Sequence, residues 1–283
     1  MAGFIDAHTH LFPPEQARRR ADLAAADPTF AEMYTDLRAK LADAPALRAA
    51  IERAGIDRAV AAGFAFREAR HLAEQAEYLL AAASEAPDTI APLPCLNLAL
   101  PGWEAEARRW LSRGARGFGE LRPHNQGWDP LGPDAQRLAH LAAESGTVLL
   151  WHVSEPLGHT YPGKRGGISP AELGQLATLV PEARMVAAHL GGGLSFYLQM
   201  PEVRQAIGNI YFDTAAVSLL YDEGSIARLV ALAGPERVLF GSDFPLLAPR
   251  RQLERVIAEL PPDAVGAVCG GNAASLYFGT SKP

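Results

Sequence analysis

Short runs of apolar residues alternate along the chain with longer stretches of helical periodicity, which is the pattern of repeated strand–helix units around a parallel sheet. Eight such runs occur, and most are continuously apolar, as strands covered on both faces require. The predicted strands span residues 3–8, 59–64, 90–96, 116–121, 147–153, 184–190, 209–214 and 237–243.

Apolar residues between these strands recur at positions i, i+3, i+4 and i+7, so that each set forms one buried helix face. Three sets follow this spacing: Leu47, Ala50, Ile51 and Ala54; Ala135, Leu138, Ala139 and Ala142; and Leu253, Val256, Ile257 and Leu260. Eight strands, each followed by a helix, predict an α/β fold in which a single domain over residues 1–283 forms a (β/α)₈ TIM barrel.

One interval is longer than the crossover between neighbouring strands requires. The excess, residues 11–44, contains two adjacent prolines, the run Arg18-Arg19-Arg20 and a helical pattern over residues 30–41. Because it follows strand one, it emerges at the C-terminal face of the barrel, where active sites are built. We expect a cap-like insertion or an oligomer contact, with the three arginines on a solvated helix face.

Composition narrows the class of protein. The 283 residues are 48% hydrophobic and carry a net charge of −6, which suits one large core and argues against a nucleic-acid partner. Two cysteines, Cys95 and Cys269, are too few for a disulfide framework and are expected to be reduced thiols. The chain shows neither a signal-peptide pattern nor an apolar run of about 20 residues. We expect a cytoplasmic protein that acts on a small molecule, has no membrane partner and can form a homo-oligomer.

Strand one ends in two histidines, His8 and His10. Because side chains alternate along a strand, both point to the same side, which in a barrel is the interior. Two neutral imidazoles at this spacing can bind one Zn²⁺ and leave coordination positions open. By itself the pair is weak evidence, since short motifs also occur by chance.

Three later strands also end in residues that bind metals. The fifth delivers His152, the sixth delivers His189, and the eighth delivers Asp243. A single hydrogen bond can satisfy any one buried histidine, and Asp243 alone can cap a helix, but neither explains why several strands end this way. The carboxyl ends of barrel strands meet at one face, so the set predicts a metal site there.

The segment FIDAHTH at residues 4–10, the two strand-end histidines and GSDFP at 241–245 together resemble the amidohydrolase superfamily. The chain is most similar to its amidohydrolase-related (amidohydrolase-2) group, which includes pyrone-dicarboxylate lactonase and aminocarboxymuconate-semialdehyde decarboxylase. The resemblance implies that His8, His10 and His152 bind a divalent metal. Zn²⁺ is the expected ion because it suits such ligands, although Mn²⁺, Fe²⁺ and Co²⁺ accept similar ones. It implies that His189 is a ligand or a partner of the bound water, and that Asp243 is both a ligand and the catalytic proton shuttle.

Strand four departs from the commoner patterns of this superfamily, because it offers Glu120 and no lysine that could be carbamylated. Glu120 can act as a bridging carboxylate between two ions, since a buried carboxylate needs a metal or another partner. The alternative is that Glu120 pairs with Arg122 or with a substrate group. The sequence is therefore compatible with a site for one metal ion and with a site for two.

Loops on the same face are expected to bind the substrate, because loops after barrel strands carry specificity. Arg122 can hold a carboxylate bidentately, and Lys164 can do so as a point charge, which suits an acidic substrate. The alternative is that these loops are polar simply because they are exposed to solvent. The remaining candidates are chosen by position alone, and they are His124, Glu155, His159 and Tyr161.

The ligand set predicts an enzyme that hydrolyses an amide, lactone or other ester through a metal-activated water. Asp243 would accept the proton of the water and return it to the leaving group, while His189 would stabilise the oxyanion or orient the water. A metal-dependent decarboxylase of the aminocarboxymuconate-semialdehyde decarboxylase type is the alternative within the same group. A barrel that binds metal or a protein without catalysis is a third interpretation, disfavoured because the whole residue set is retained.

Overall fold

The computed structural model describes residues 3–279, which form a barrel of eight strands with helices outside it. The strands are shorter than predicted but occur in the predicted order. They are β1 (Ile5–His10), β2 (Arg58–Ala62), β3 (Ile90–Leu93), β4 (Gly117–Leu121), β5 (Val148–Trp151), β6 (Arg184–Ala187), β7 (Ile210–Asp213) and β8 (Val238–Leu239).

All paired strands are parallel and follow one another in chain order, as a ladder β1–β2–β3 and a second ladder β4–β5–β6–β7–β8. Backbone hydrogen bonds join the two ladders at both seams. Gly119 N donates to Pro94 O at 3.1 Å beside β3, and Ala7 N donates to Phe240 O at 2.8 Å beside β8. The predicted TIM-barrel architecture is therefore confirmed.

The helices surround the strands, and several begin with proline in the first turn, where its missing N–H costs no hydrogen bond. Their bounds are α1 (Pro14–Arg18), α2 (Arg20–Ala26), α3 (Pro28–Tyr34), α4 (Ala44–Ala54), α5 (Ala69–Glu85), α6 (Trp103–Ser112), α7 (Pro123–Gln126), α8 (Pro133–Ser145), α9 (Pro170–Leu179), α10 (Pro201–Ala206), α11 (Val217–Leu220), α12 (Ser225–Ala233) and α13 (Pro249–Glu259). Shorter helical turns cover 189–199, 235–237, 267–271 and 274–278.

Two apolar cores hold the barrel together. The larger lies between the strands and the surrounding helices and includes the predicted helix faces, such as Leu47 on α4 and Leu138 on α8. The smaller fills the barrel interior with side chains such as Val148 and Leu150, and Tyr277 from the last helical turn packs against it. Close packing in the barrel interior therefore supports the side chains that lie at the carboxyl ends of the strands.

The insertion over residues 11–44 forms α1, α2 and α3 and is anchored by an aromatic cluster. Tyr34 packs on Phe12 and Phe30 with ring centroids 5.2 and 4.9 Å apart, and Phe30 stacks on Phe66 at 5.6 Å. Phe66 also contacts Phe64, at 4.9 Å. The insertion is thus part of the main core.

The helix predicted over residues 30–41 ends at Tyr34. Asp36 accepts hydrogen bonds from the backbone and the guanidinium of Arg38, and such local side-chain bonds compete with helical ones. The expected solvated face of the arginine run is only partly present, because Arg19 donates to Glu74 on α5 at 2.6 Å.

The strand predicted over 237–243 ends at Leu239. Beyond it, Gly241 is bonded to the hydroxyl of Thr214 instead of a neighbouring backbone, and Asp243 adopts a φ of 64°. Cys95 and Cys269 are buried free thiols. Among residues 3–279, no helix combines the length and the apolar character that crossing a membrane requires.

Candidate metal centre and substrate pocket

Six side chains converge at the carboxyl ends of the strands, and they are the six predicted as metal ligands. They form two groups, each with one ligand atom per residue within 4.8 Å of the others. The first triad is His8, His10 and Asp243, and the second triad is Glu120, His152 and His189. Strands that lie far apart in sequence therefore contribute to one polar site.

The two histidines of β1 point to the same side, as predicted, and their Nε2 atoms lie 3.1 Å apart. The Nδ1 atom of His8 lies 2.8 Å from Oδ2 of Asp213, at the end of β7. A carboxylate can only accept, so in the neutral imidazole of His8 the proton lies on Nδ1 and Nε2 carries the lone pair. That lone pair faces the ring nitrogen of His10.

Asp243 completes the first triad from the turn after β8. Its Oδ1 atom lies 3.5 Å from His10 Nε2 and 3.9 Å from His8 Nε2. The amide of Asp243 donates to His8 O at 2.9 Å, which ties the turn to β1. Backbone pairing thus sets the position of the carboxylate that was predicted to move protons.

The second triad is centred on Glu120 of β4. Its Oε1 atom lies 2.8 Å from His152 Nδ1 and 3.4 Å from His189 Nε2. The same carboxylate also approaches the first triad, at 3.9 Å from His8 Nε2 and 3.8 Å from His10 Nε2. Glu120 therefore contacts histidines rather than Arg122 and lies between the two triads.

Charges in this buried site act strongly on one another. Burial, the largest effect, lowers the pKa of His8, but the carboxylates of Asp213, Glu120 and Asp243 together raise that pKa to about 10. Burial also opposes the charged form of His189, yet Glu120 raises the pKa of this ring to about 9. The pKa of His152 is lowered to about 4, mainly by burial and secondly by the positive charge of Arg122. The carboxylates thus favour positive charge between the triads.

The donor set fits a divalent cation. The lone pair of His8 meets the Nε2 atom of His10, and among the described residues the buried Nδ1 atom of His10 has no hydrogen-bond partner. His189 Nδ1 lies 3.0 Å from the carbonyl of Ala215, so in the neutral ring its Nε2 atom also carries a lone pair. Imidazole lone pairs and carboxylates that face one another are the ligands of Zn²⁺, Mn²⁺ and related ions.

A cavity of about 380 Å³ opens above the triads. Its lining includes Met33 and Tyr34 of the insertion, Leu219 of α11, and Leu246. His10, Glu120, His152, His189 and Asp243 line its polar floor. This volume suits a small organic molecule held against the ligand cluster.

Arg122 lines this cavity and is almost completely buried. Its Nε atom donates to Asn125 Oδ1 at 2.8 Å, and one terminal nitrogen donates to the carbonyls of Gly163 and Arg165 at 2.6 and 2.7 Å. All three acceptors are neutral. Within residues 3–279 no carboxylate forms an ion pair with this guanidinium, although the charges of Glu120 and Glu32 act on it. A buried cation in such surroundings can pair with an anionic group.

The other predicted substrate residues divide between two cavities. His159 and Tyr161 line the cavity above the triads, whereas His124, Glu155 and Lys164 line a smaller neighbouring cavity of about 250 Å³. Lys164 donates to His159 O at 2.7 Å, and His124 lies 3.1 Å from Glu172 Oε2. The structure therefore does not bring these two side chains to the metal-type ligands.

Sequence reasoning missed two residues of the site. Asp213 ends a predicted strand, as His152 does, and that position was the signal that could have identified it. Tyr34 lies in the insertion, where helical periodicity cannot show which residue faces the cavity. Glu155, predicted as a substrate-binding residue, accepts hydrogen bonds from Tyr161 and Tyr221. It therefore links the loop after β5 to the segment after α11.

Comparison with known proteins agrees with this architecture. A family model described as "Amidohydrolase" matches residues 5–279. No curated protein matches the chain significantly.

Three solved structures illustrate the similarity of fold. 2,6-Dihydroxybenzoate decarboxylase from Rhizobium is 15% identical, with a TM-score of 0.74 and coverage of 98% of this chain and 99% of the other. 5-Carboxyvanillate decarboxylase from Sphingomonas paucimobilis is 16% identical, with a TM-score of 0.77 and coverage of 99% and 100%. The corresponding enzyme from Novosphingobium aromaticivorans, complexed with manganese and a nitrobenzoic acid, is 18% identical, with a TM-score of 0.72 and coverage of 97% and 96%. At these identities the similarity demonstrates the fold alone.

Proposed function

The chain belongs to the amidohydrolase family, and from this premise we propose that it is a metal-dependent decarboxylase of small carboxylated, aromatic-like substrates. The observation that carries the proposal is the buried guanidinium of Arg122, which lines the same cavity as two triads of metal-type ligands. The fold is shared with decarboxylases of hydroxylated aromatic acids, which supports this reaction over the hydrolysis expected from sequence.

The first triad, joined by His152 or Glu120, would hold the divalent metal. Manganese in a structural neighbour and the mixed imidazole and carboxylate donors are compatible with Mn²⁺ as well as the expected Zn²⁺. When bound, the metal would supply a positive charge that neutralises the substrate carboxylate or its neighbouring oxygen. His8, His10 and Asp243 would hold that charge at the edge of the cavity, which His10 and Asp243 line.

Arg122 would bind an anionic oxygen of the substrate, and the apolar lining, which includes Met33, Phe64 and Leu246, would cover its hydrocarbon part. Water excluded from this lining no longer solvates the carboxylate, and a poorly solvated carboxylate loses CO₂ more readily.

Asp243 would transfer the proton. The substrate carbon accepts a proton from Oδ1 of Asp243, the bond from that carbon to the carboxylate breaks, and its electrons return to the organic part as CO₂ leaves. The carboxylate of Asp243 then takes a proton from solvent, which balances the reaction. Its position beside His10 and at the cavity floor supports this general acid role.

Hydrolysis of a lactone or amide is the second candidate, favoured by one observation. Glu120 lies within 4 Å of nitrogens from both triads, which is the placement a bridging carboxylate needs in a two-metal hydrolase. The number of ions therefore separates the two reactions.

Replacing Glu120 with Gln tests that distinction. If the enzyme uses one ion in the first triad, the variant is expected to retain about one metal per chain, because His8, His10 and Asp243 remain. Metal content by atomic emission measures the outcome. A fall from two ions to one on substitution would favour the binuclear hydrolase instead, and the exposed Glu182, replaced by Gln, serves as control.

The reaction is tested directly with purified protein loaded with Mn²⁺ or Zn²⁺. We expect CO₂ release from dihydroxybenzoates or carboxylated phenols, measured by a coupled bicarbonate assay and by loss of the substrate absorbance. Aromatic esters and lactones of similar size are the matched alternatives. Hydrolysis of these compounds without CO₂ release from any acid would overturn the decarboxylase proposal and support the second candidate.

A further inference from the structure

Strand β7 contributes none of the six ligand side chains, yet its end touches one histidine of each triad. Asp213 is completely buried. Its Oδ2 atom lies 2.8 Å from His8 Nδ1, and its Oδ1 atom accepts the amide of His189 at 2.9 Å. The same carboxylate therefore contacts the ring of one candidate ligand and the backbone of another.

Ala215, two residues after Asp213, completes this arrangement. Oδ1 also accepts the amide of Ala215 at 3.0 Å, which folds the chain back on the aspartate. The carbonyl of Ala215 then lies 3.0 Å from Nδ1 of His189. The end of β7 thus holds both the backbone and the ring of His189, whose φ of 58° is unusual for a residue other than glycine.

We propose that the end of β7, through Asp213 and the carbonyl of Ala215, sets the tautomers of His8 and His189 so that both present an unprotonated Nε2 to the metal. Both acceptors lie on Nδ1, so the proton of each neutral ring is held there. Partners of this kind orient metal-binding histidines and keep them in one tautomer. Asp213 is thus a positioning residue.

This inference rests on the metal site of the proposed function but not on the reaction catalysed there. An asparagine at this position has only one oxygen. If that oxygen serves the amides of His189 and Ala215, the side-chain NH₂ faces Nδ1 of His8 and the ring must move its proton to Nε2. If the side-chain amide of the asparagine is turned over instead, its NH₂ group faces the backbone N–H donors of His189 and Ala215. The first arrangement is less costly, and it blocks His8 as a ligand.

The test compares the wild-type chain with Asp213→Asn, both full length and supplied with Zn²⁺. We expect metal affinity, measured by competition with a chelator, to fall by about 10- to 100-fold, which is usual when the partner of a ligand histidine is lost. Nitrogen-15 NMR of the histidine rings is expected to show the proton of His8 on Nδ1 in the wild type and on Nε2 in the variant.

Asp27→Asn is the matched control. Asp27 is also buried and accepts three backbone amides, from Thr29, Phe30 and Arg67, but it caps α3 rather than contacting a candidate ligand. This variant is expected to lose stability and to keep both the zinc affinity and the His8 signal. Should Asp213→Asn fail to fold, Asp213→Ala provides the same affinity measurement.

The outcomes separate this inference from the proposed function. Tight zinc binding by the wild type, with the same affinity and ring signals in Asp213→Asn, would overturn the role of β7 and leave the metal site intact. A wild-type chain that binds neither Zn²⁺ nor Mn²⁺ would overturn the proposed function and this inference with it. Loss of affinity in Asp213→Asn and Asp27→Asn alike would reduce Asp213 to a structural role.

Discussion

Replacement of Asp243 with Asn is expected to reduce kcat by about 10²- to 10⁴-fold, the contribution that positioned proton transfer commonly makes. Asparagine has nearly the same shape and retains one oxygen beside His10 Nε2, where Oδ1 of Asp243 lies at 3.5 Å. It cannot carry the proton that the reaction moves. Steady-state kinetics and metal content per chain measure the two effects separately, and the variant is expected to keep most of its metal.

The exposed Asp263, after α13, provides the control, because Asp263→Asn removes the same charge far from the cavity and is expected to leave kcat unchanged. A near-normal kcat in Asp243→Asn would show that another group carries the proton. Simultaneous loss of metal and activity would show that Asp243 acts chiefly as a ligand.

Removal of the metal by a chelator is expected to abolish activity and to lower the melting temperature of the protein. The metal-free site holds buried imidazoles and carboxylates close together, as at the 3.1 Å contact of His8 and His10. A ligand that binds only the folded chain stabilises it by about 4 kcal/mol at a thousandfold excess over its Kd. Thermal unfolding with and without added Mn²⁺ or Zn²⁺ measures this difference.

The variant His10→Ala serves as a control for this measurement, since it removes one ligand of the first triad. Its melting temperature is expected to respond much less to added metal than that of the wild type. Activity and melting temperature that survive exhaustive chelation unchanged would contradict metal dependence. Restoration by Mn²⁺ and not by Zn²⁺, or the reverse, would identify the preferred ion.

The barrel was predictable because parallel strands buried on both faces must be continuously apolar. The runs around Val148 and Val186 show this pattern. In the structure they form β5 and β6, whose side chains contribute to the core in the barrel interior. Strand ends were less predictable. Ser242 N donates to Asp6 and Asp243 N to His8 O, and such bonds between distant parts of the chain leave no local sequence signal.

The candidate ligands were predictable for a similar reason. His152 and Asp243 follow apolar runs, and in a barrel the carboxyl ends of all strands share one face. Tyr34 was not predictable, because its place in the cavity depends on how α3 packs on Phe12 and Phe30. Nor could charge and position predict that Lys164 would donate to the carbonyls of its own loop.

The aromatic cluster beneath the insertion also bears on how this enzyme can acquire new substrates. Tyr34 and Phe64 face the cavity and at the same time pack with Phe12 and Phe30 in the main core. A substitution that reshapes this wall therefore weakens folding as well, since truncation of a buried aromatic side chain costs about 3–5 kcal/mol. Leu219 and Leu246 also line the cavity but are largely exposed. Divergence of specificity among relatives is thus expected to concentrate at such exposed lining residues, where a change of side chain leaves the fold intact.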